Sequence, residues 1–279
     1  MIRREITTPD GEKLWLLISQ VDHARVSGEL ARHWRDQFSD DVVAAIAHHD
    51  DGWSAWEAEP KLNPEYGAPF SFLEMPVPAA LVIWDHSIAA AGQFGPLAAY
   101  IVAGHFYNLL INSDHAKDPL AVAWLTAKRK HRTGWLDEWV RGDPSRTLEY
   151  AKQAQQMLLI ADLFSLWLCC DCPADDQRGS ILGQSAMKLQ TDTLLSQFQF
   201  SVQEFAFQES GDGIRKERLD WSVSVHPYLL RTSSLEFSVE SIAAPAKHYA
   251  SWQELTAASR PLELHWQLVE STRQNGSAM

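Results

Sequence analysis

Val42-Val43-Ala44-Ala45-Ile46-Ala47-His48-His49-Asp50-Asp51 runs an apolar stretch straight into four titratable side chains. At 3.6 residues per turn His49 extends the stripe Val42, Ala45, Ile46, and Asp50 lies one step round it beside Val43 and Ile46, so both point at a packed interior. An ionised carboxylate left alone there would cost several kcal/mol, and buried charges are therefore normally paired or bound to a metal. The alternative is a dyad at a frayed helix end in water. Which reading holds decides whether the chain is a helical body built round a cation or an ordinary helical core.

Moving outward, other polar side chains fall on predicted apolar stripes. His23 shares a face with Val26, Ser27, Leu30 and Trp34 on a helix starting near Asp22. His86 shares one with Val82, Ile83 and Ala90 in a helix over 79–91, and His105 one with Ile101, Val102 and Leu109 in a helix opened by Pro96. Singly, His86 and His105 read as hydrogen-bonded core histidines. Asp162 is the lone acid in the run from Met157 to Leu168, among Leu158, Leu159, Leu163 and Leu166. A protonated Asp is one solution; a carboxylate held by a cation is the cheaper one at neutral pH.

Asp40 or Asp41 caps the dyad's helix, which should run on to Gly52. The segment from Trp53 to Pro78 carries five prolines and little periodicity. A long irregular loop beside the dyad reads either as a pocket roof built from Trp53, Trp56, Glu57, Tyr66, Phe70 and Phe72, or as aromatic anchors to the core. Amphipathic helices follow over 119–141 and 147–170. The run Lys128-Arg129-Lys130-His131-Arg132 reads as a solvated helix face, an anion-binding role being the minority reading. Cys169, Cys170 and Cys172 lie too close together for a disulfide framework and read as small core residues, since zinc would need a fourth ligand nearby.

Short alternating runs occupy both ends of the chain. Ile2–Ile6 and Leu14–Ser19 form a hairpin through Thr8-Pro9-Asp10-Gly11, and period-two patterns recur at 198–202, 221–225, 235–239 and 262–268, with a short helix at 251–258. The expected fold is α+β: a hairpin over 1–19, a helical domain over 20–172, an antiparallel β annex over 173–271 that the hairpin joins, and a disordered tail over 272–279.

The 279 residues are 46% hydrophobic and 22% charged, as in an ordinary folded chain. A net charge of -12 and a pI near 5.3 argue against nucleic acid and anionic membranes, which need a basic face. No apolar run reaches the roughly 18 residues of a membrane span, and no signal-like segment follows Met1. A cytoplasmic protein with a small-molecule substrate is expected, pairing of two copies being left open.

In order, His23, His49-Asp50, His86, His105 and Asp162 resemble the HD-domain superfamily of metal-binding helical proteins. The strings Gln20-Val21-Asp22-His23-Ala24, Ala47-His48-His49-Asp50-Asp51-Gly52-Trp53 and Ala161-Asp162-Leu163-Phe164-Ser165-Leu166 look like an uncharacterised bacterial family within it. The resemblance covers residues 1–172. It implies a first divalent metal on His23, His49, Asp50 and Asp162, and a second on His86 and His105 bridged by Asp50. Iron, manganese and zinc all suit such ligands.

The resemblance further implies a hydrolase that attacks a small phosphorylated or anionic metabolite with a metal-bound hydroxide. Asp50, Asp51 and His105 would be its catalytic groups, and His48, Trp53, Trp56, Glu57, Lys61 and Arg25 would line its pocket. The alternatives are a diiron oxygenase using the same ligands and a non-catalytic metal-containing binding module. One departure stands out: many superfamily members carry a lysine three residues after the dyad's Asp, and here that place is Trp53, leaving Arg25, Lys61 or Arg129 to supply a cation.

Overall fold

Local signals start and stop each helix round the dyad. Ser19 accepts hydrogen bonds from the backbone N–H groups of Val21 and Asp22 and so caps α1 (Gln20–His33). α2 (Asp40–Ala47) ends five residues before Gly52. The dyad therefore sits in the turn just past the helix, not on it, and a single 3-10 turn (Asp51–Trp53) leads into α3 (Ser54–Ala58). The backbones of α1 and α2 touch: a Cβ on Gly28 would lie 2.4 Å from the Ala47 Cβ. Gly28→Ala should therefore cost about 2 kcal/mol through overpacking, read as a fall in the urea midpoint.

The computed structural model describes residues 1–8, 11–172, 199–205 and 217–271. The expected domain boundary at 172/173, the turn residues Pro9 and Asp10, and the tail from Thr272 lie outside the described residues. After α3 come the two-residue strands β3 (Leu62–Asn63) and β4 (Ala68–Pro69), which pair with each other, and a 3-10 turn at Phe72–Glu74 with a Ser71–Glu74 capping box. The 53–78 segment is thus folded onto itself instead of being an irregular loop. α4 (Val77–Ala91) and α5 (Pro96–Ile111) both open on proline, and α6 (Pro119–Gly142) and α7 (Leu148–Asp171) are capped by Asp118 and Thr147.

β1 (Ile2–Thr7), β2 (Lys13–Ile18), β5 (Gln199–Phe205), β6 (Glu217–His226), β7 (Ser234–Pro245) and β8 (Arg260–Glu270) form one sheet in the order β1-β2-β7-β8-β6-β5. The N-terminal hairpin joins it beside β7, as expected. The sheet is not wholly antiparallel, because β6 and β8 run parallel in register and place Trp221 beside Trp266, with ring centroids 5.5 Å apart.

One face of this sheet is apolar through Leu14, Leu16, Ile18, Val223, Leu264, Trp266 and Leu268, in a single cluster with Leu30, Phe164 and Leu166 of α1 and α7. The helices and the sheet therefore share a core. On the other side of β2, Leu17 packs with Tyr249 and with Leu255 of α8 (Trp252–Ala257). Among the described residues no helix is long and apolar enough to cross a membrane.

Candidate metal centre

Three elements deliver the polar cluster. His23 comes from the first turn of α1, His49 and Asp50 from the turn after α2, and Asp162 from the middle of α7; all four are buried, none more than 6% exposed. His23 Nε2 lies 3.1 Å from Asp50 Oδ2 and 3.6 Å from Asp162 Oδ1, and His49 Nε2 lies 3.2 Å from Asp162 Oδ1 and 3.7 Å from Asp50 Oδ2. His105, from α5, closes the ring with its Nε2 3.8 Å from Asp162 Oδ2.

The far nitrogen of each imidazole is fixed by the fold. His49 Nδ1–H donates to the Ile46 carbonyl at 2.8 Å, which leaves Nε2 as the nitrogen facing the carboxylates. His23 Nδ1 meets the Ser165 hydroxyl at 2.8 Å, and Ser165 Oγ donates to the Asp162 carbonyl at 3.0 Å. With its hydrogen spent on that carbonyl, Ser165 accepts from His23 Nδ1–H, so His23 Nε2 carries a lone pair aimed at Asp50. Two acceptors 3.1 Å apart repel unless a proton or a cation lies between them. Ser27 braces the same hydroxyl at 2.7 Å.

Asp162 Oδ2 is buried with no hydrogen-bond partner among the described residues. Leaving such an atom unsatisfied costs about 1–3 kcal/mol, and more for a charged group. His23, His49 and Asp162 each offer a ligand atom, and these atoms all lie within 4.8 Å of one another, so the group can hold a metal ion. Imidazole nitrogen with carboxylate oxygen is the donor set of zinc, iron and manganese sites.

Asp162 is ionised, and without a metal His49 carries the answering proton. Asp162 titrates far below an ordinary carboxylate, at about 2: burial alone would raise it, but His105, His49 and His23 together outweigh that. His49 is pushed up to about 9, since desolvation, which lowers it, is overcome by the pull of Asp50 and Asp162. Burial holds His105 below the ordinary imidazole value.

In chelator-treated protein the His49 contribution to stability is complete below pH 6.5 and is lost as pH rises through about 9. The Asp162 contribution is present above pH 3.8 and is lost as pH falls through about 2. The metal-free protein should therefore lose on the order of 3 kcal/mol between pH 6.5 and 9.5 in urea melts, a loss that His49→Gln should abolish.

Among the described residues, the side chains expected to line a pocket do not gather round the cluster. Asp51 turns to the surface, where it meets Arg25 at 3.2 Å and His48 at 2.7 Å, and this takes it out of the cluster as a catalytic group. His48, held by Asp51, likewise stands outside the cluster. Glu57 accepts from Ser19 Oγ and the Gln20 N–H and pairs with the Met1 amine, making it a structural clamp between α3 and the start of α1. Trp53 is buried and Lys61 is exposed. Trp56 packs edge-on against Phe70. Trp53 and Phe72 anchor the loop to the core, whereas Tyr66 is exposed.

His86 is exposed on α4, as is Val82 of the same stripe, so the second metal loses an expected ligand. Cys169, Cys170 and Cys172 are buried core residues whose thiols burial pushes up, Cys172 to about 12. Ser27 and Ser165 brace the cluster without standing among the predicted site residues, although each lies one helical turn from a ligand on the same face.

A profile of proteins of unknown function, DUF3891, matches residues 1–246. The chain belongs to the DUF3891 family. The matched span takes in every residue of the cluster and most of the sheet, so in this DUF3891 protein the centre lies within the family's own domain. Comparison with curated proteins and with solved structures finds no match.

Proposed function

We infer that this DUF3891 protein is a metal-dependent hydrolase of HD type acting on a small anionic metabolite. The observation that carries the reading is the buried Asp162 carboxylate, whose Oδ1 faces His23 and His49 and whose Oδ2 lies 3.8 Å from His105 and makes no hydrogen bond among the described residues. The order His23, His49-Asp50, Asp162 along α1, the turn after α2, and α7 is the order of the HD superfamily, and on that ground we extend the resemblance to the helical core.

His23, His49, Asp50 and Asp162 would hold one iron, manganese or zinc ion. When bound, such an ion lowers the pKa of coordinated water and neutralises charge that develops on the substrate. The chain's own residues do the rest. The Ile46 carbonyl and the Ser165 hydroxyl hold the two imidazoles in the ligating tautomer, and surrounding hydrocarbon keeps bulk water out. His105 faces Asp162 and lines the neighbouring groove, a position from which it can take a proton from water on the substrate side.

A diiron oxygenase would need a sixth ligand, which the outward-facing His86 does not supply. A sealed, non-catalytic site is disfavoured because His105 also lines an open groove. The test is hydrolysis of phosphomonoesters, phosphodiesters and carboxylate esters by chelator-treated protein given back manganese, iron or zinc. Metal-dependent product release that Asp162→Asn abolishes is expected. A metal-loaded protein inert to the whole panel would contradict the reading.

A further inference from the structure

Beside His105, residues of α5, α6 and α7 line a groove of about 480 Å³, within the size range of small-molecule sites. Tyr100, His105 and Asn108 line it from α5, Arg132 from α6, and Lys152 and Gln155 from α7. Two cations and several amide groups face this space, and among the described residues no carboxylate lines it, in a chain of net charge -12.

Arg132 is built into the wall and does not wave in solvent. Its guanidinium lies over the Tyr100 ring at 4.7 Å and the Tyr107 ring at 5.6 Å, and Nη2 donates to Gln155 Oε1 at 2.6 Å. Its Nε is buried with no hydrogen-bond partner among the described residues. Burial pulls the Arg132 pKa down, and the groups that oppose it are the tyrosines Tyr100 and Tyr107, not a carboxylate. The guanidinium is thus a charge held with less water and less counter-charge than it prefers.

Gly104 explains how Arg132 reaches that position. A Cβ there would lie 2.4 Å from Gln155 Oε1 and 2.7 Å from Arg132 Nη2. Glycine inside a helix costs about 1 kcal/mol relative to alanine, and here the bare backbone is what admits the Arg132–Gln155 pair against α5, one residue from His105.

We propose that this groove is the anion subsite of the protein, where Arg132 and Lys152 hold the oxyanion of a small polar substrate beside His105. Guanidinium and ammonium groups bind phosphate and carboxylate oxygens through charge-assisted hydrogen bonds, and Asn108 and Gln155 suit a hydroxyl-bearing body. Placing the substrate against the metal centre rests on the hydrolase reading; binding of the anion does not.

The experiment is calorimetric titration of the full chain, chelator-treated and as purified, with inorganic phosphate and separately with succinate, which tells a phosphate-type ligand from a carboxylate. At least one should bind, and Arg132→Gln with Lys152→Gln should weaken it tenfold or more. Gly104→Ala, which favours the helix while displacing Gln155 and Arg132, should weaken it as well. Binding to the chelator-treated protein is read with no metal present, which separates failure of the metal centre from failure of the groove. No binding of either anion, or wild-type affinity in both the double variant and Gly104→Ala, would overturn the proposal.

Discussion

Asp162→Asn should strip the purified protein of metal, lowering its content per chain at least tenfold while leaving the circular dichroism spectrum in place. The substitution keeps shape and volume, so α7 stays packed through Leu158, Leu163 and Leu166. What changes is that a carboxylate serving His49 at 3.2 Å, with a second oxygen lacking a hydrogen-bond partner among the described residues, becomes a neutral amide. Second-sphere losses at metal sites already cost about 10–100-fold in affinity, and loss of an anionic ligand should cost more. Ser165→Ala supplies the intermediate case: it frees the His23 ring without removing a ligand, and a site weaker by about 10–100-fold is expected. Chelator should lower the melting temperature of the wild type and leave that of Asp162→Asn unmoved, because only a ligand bound to the native state stabilises it.

Gly52→Ala should be the most destabilising single-methyl change near the centre, at about 3 kcal/mol in urea melts. A Cβ at this position would lie 2.1 Å from the Ile83 carbonyl oxygen and 2.6 Å from the Ser87 backbone nitrogen. Both obstacles are backbone atoms of α4 and cannot rotate away. The Gly52 N–H also donates to Ser87 Oγ at 3.0 Å, a buried bond worth about 1 kcal/mol that any retreat from α4 would break. Since Gly52 follows the dyad by two residues, the same shift should pull Asp50 from His23, so metal affinity should fall together with stability. Wild-type stability in Gly52→Ala would mean that the turn does not pack on α4 as described.

The cluster is legible in the sequence wherever a helix has one clearly apolar side. His23 and Asp162 are lone polar groups on such faces, and helical period alone turns them inward. It fails on α4, where Val82, Ile83 and Trp84 are consecutive: a helix apolar nearly all round does not declare which side is buried, and Val82 is 56% exposed. His86 follows Val82 outward for that reason.

For the dyad, helical period points inward for an incomplete reason. His49 Nδ1 takes the Ile46 carbonyl, so the chain leaves α2 at Ala47, and burial of His49 and Asp50 comes from the turn, not from a continued helical stripe. Alternation reveals the strands but carries nothing about partners, so the parallel β6–β8 pair is out of its reach. The anion groove is hidden too, because Arg132 ends a basic run that reads as a solvated face. Its burial depends on Gly104 of another helix. Lys128 of the same run pairs instead with Asp85 of α4.

The most direct test of the metal centre is anomalous diffraction from crystals of protein purified without chelator or added metal, with data on both sides of the iron, manganese and zinc absorption edges. The predicted result is a peak within bonding distance of His23 Nε2, His49 Nε2 and an Asp162 carboxylate oxygen, absent from Asp162→Asn crystals. Metal-free density at that point, in protein whose melting curve shows it to be native, would contradict the account.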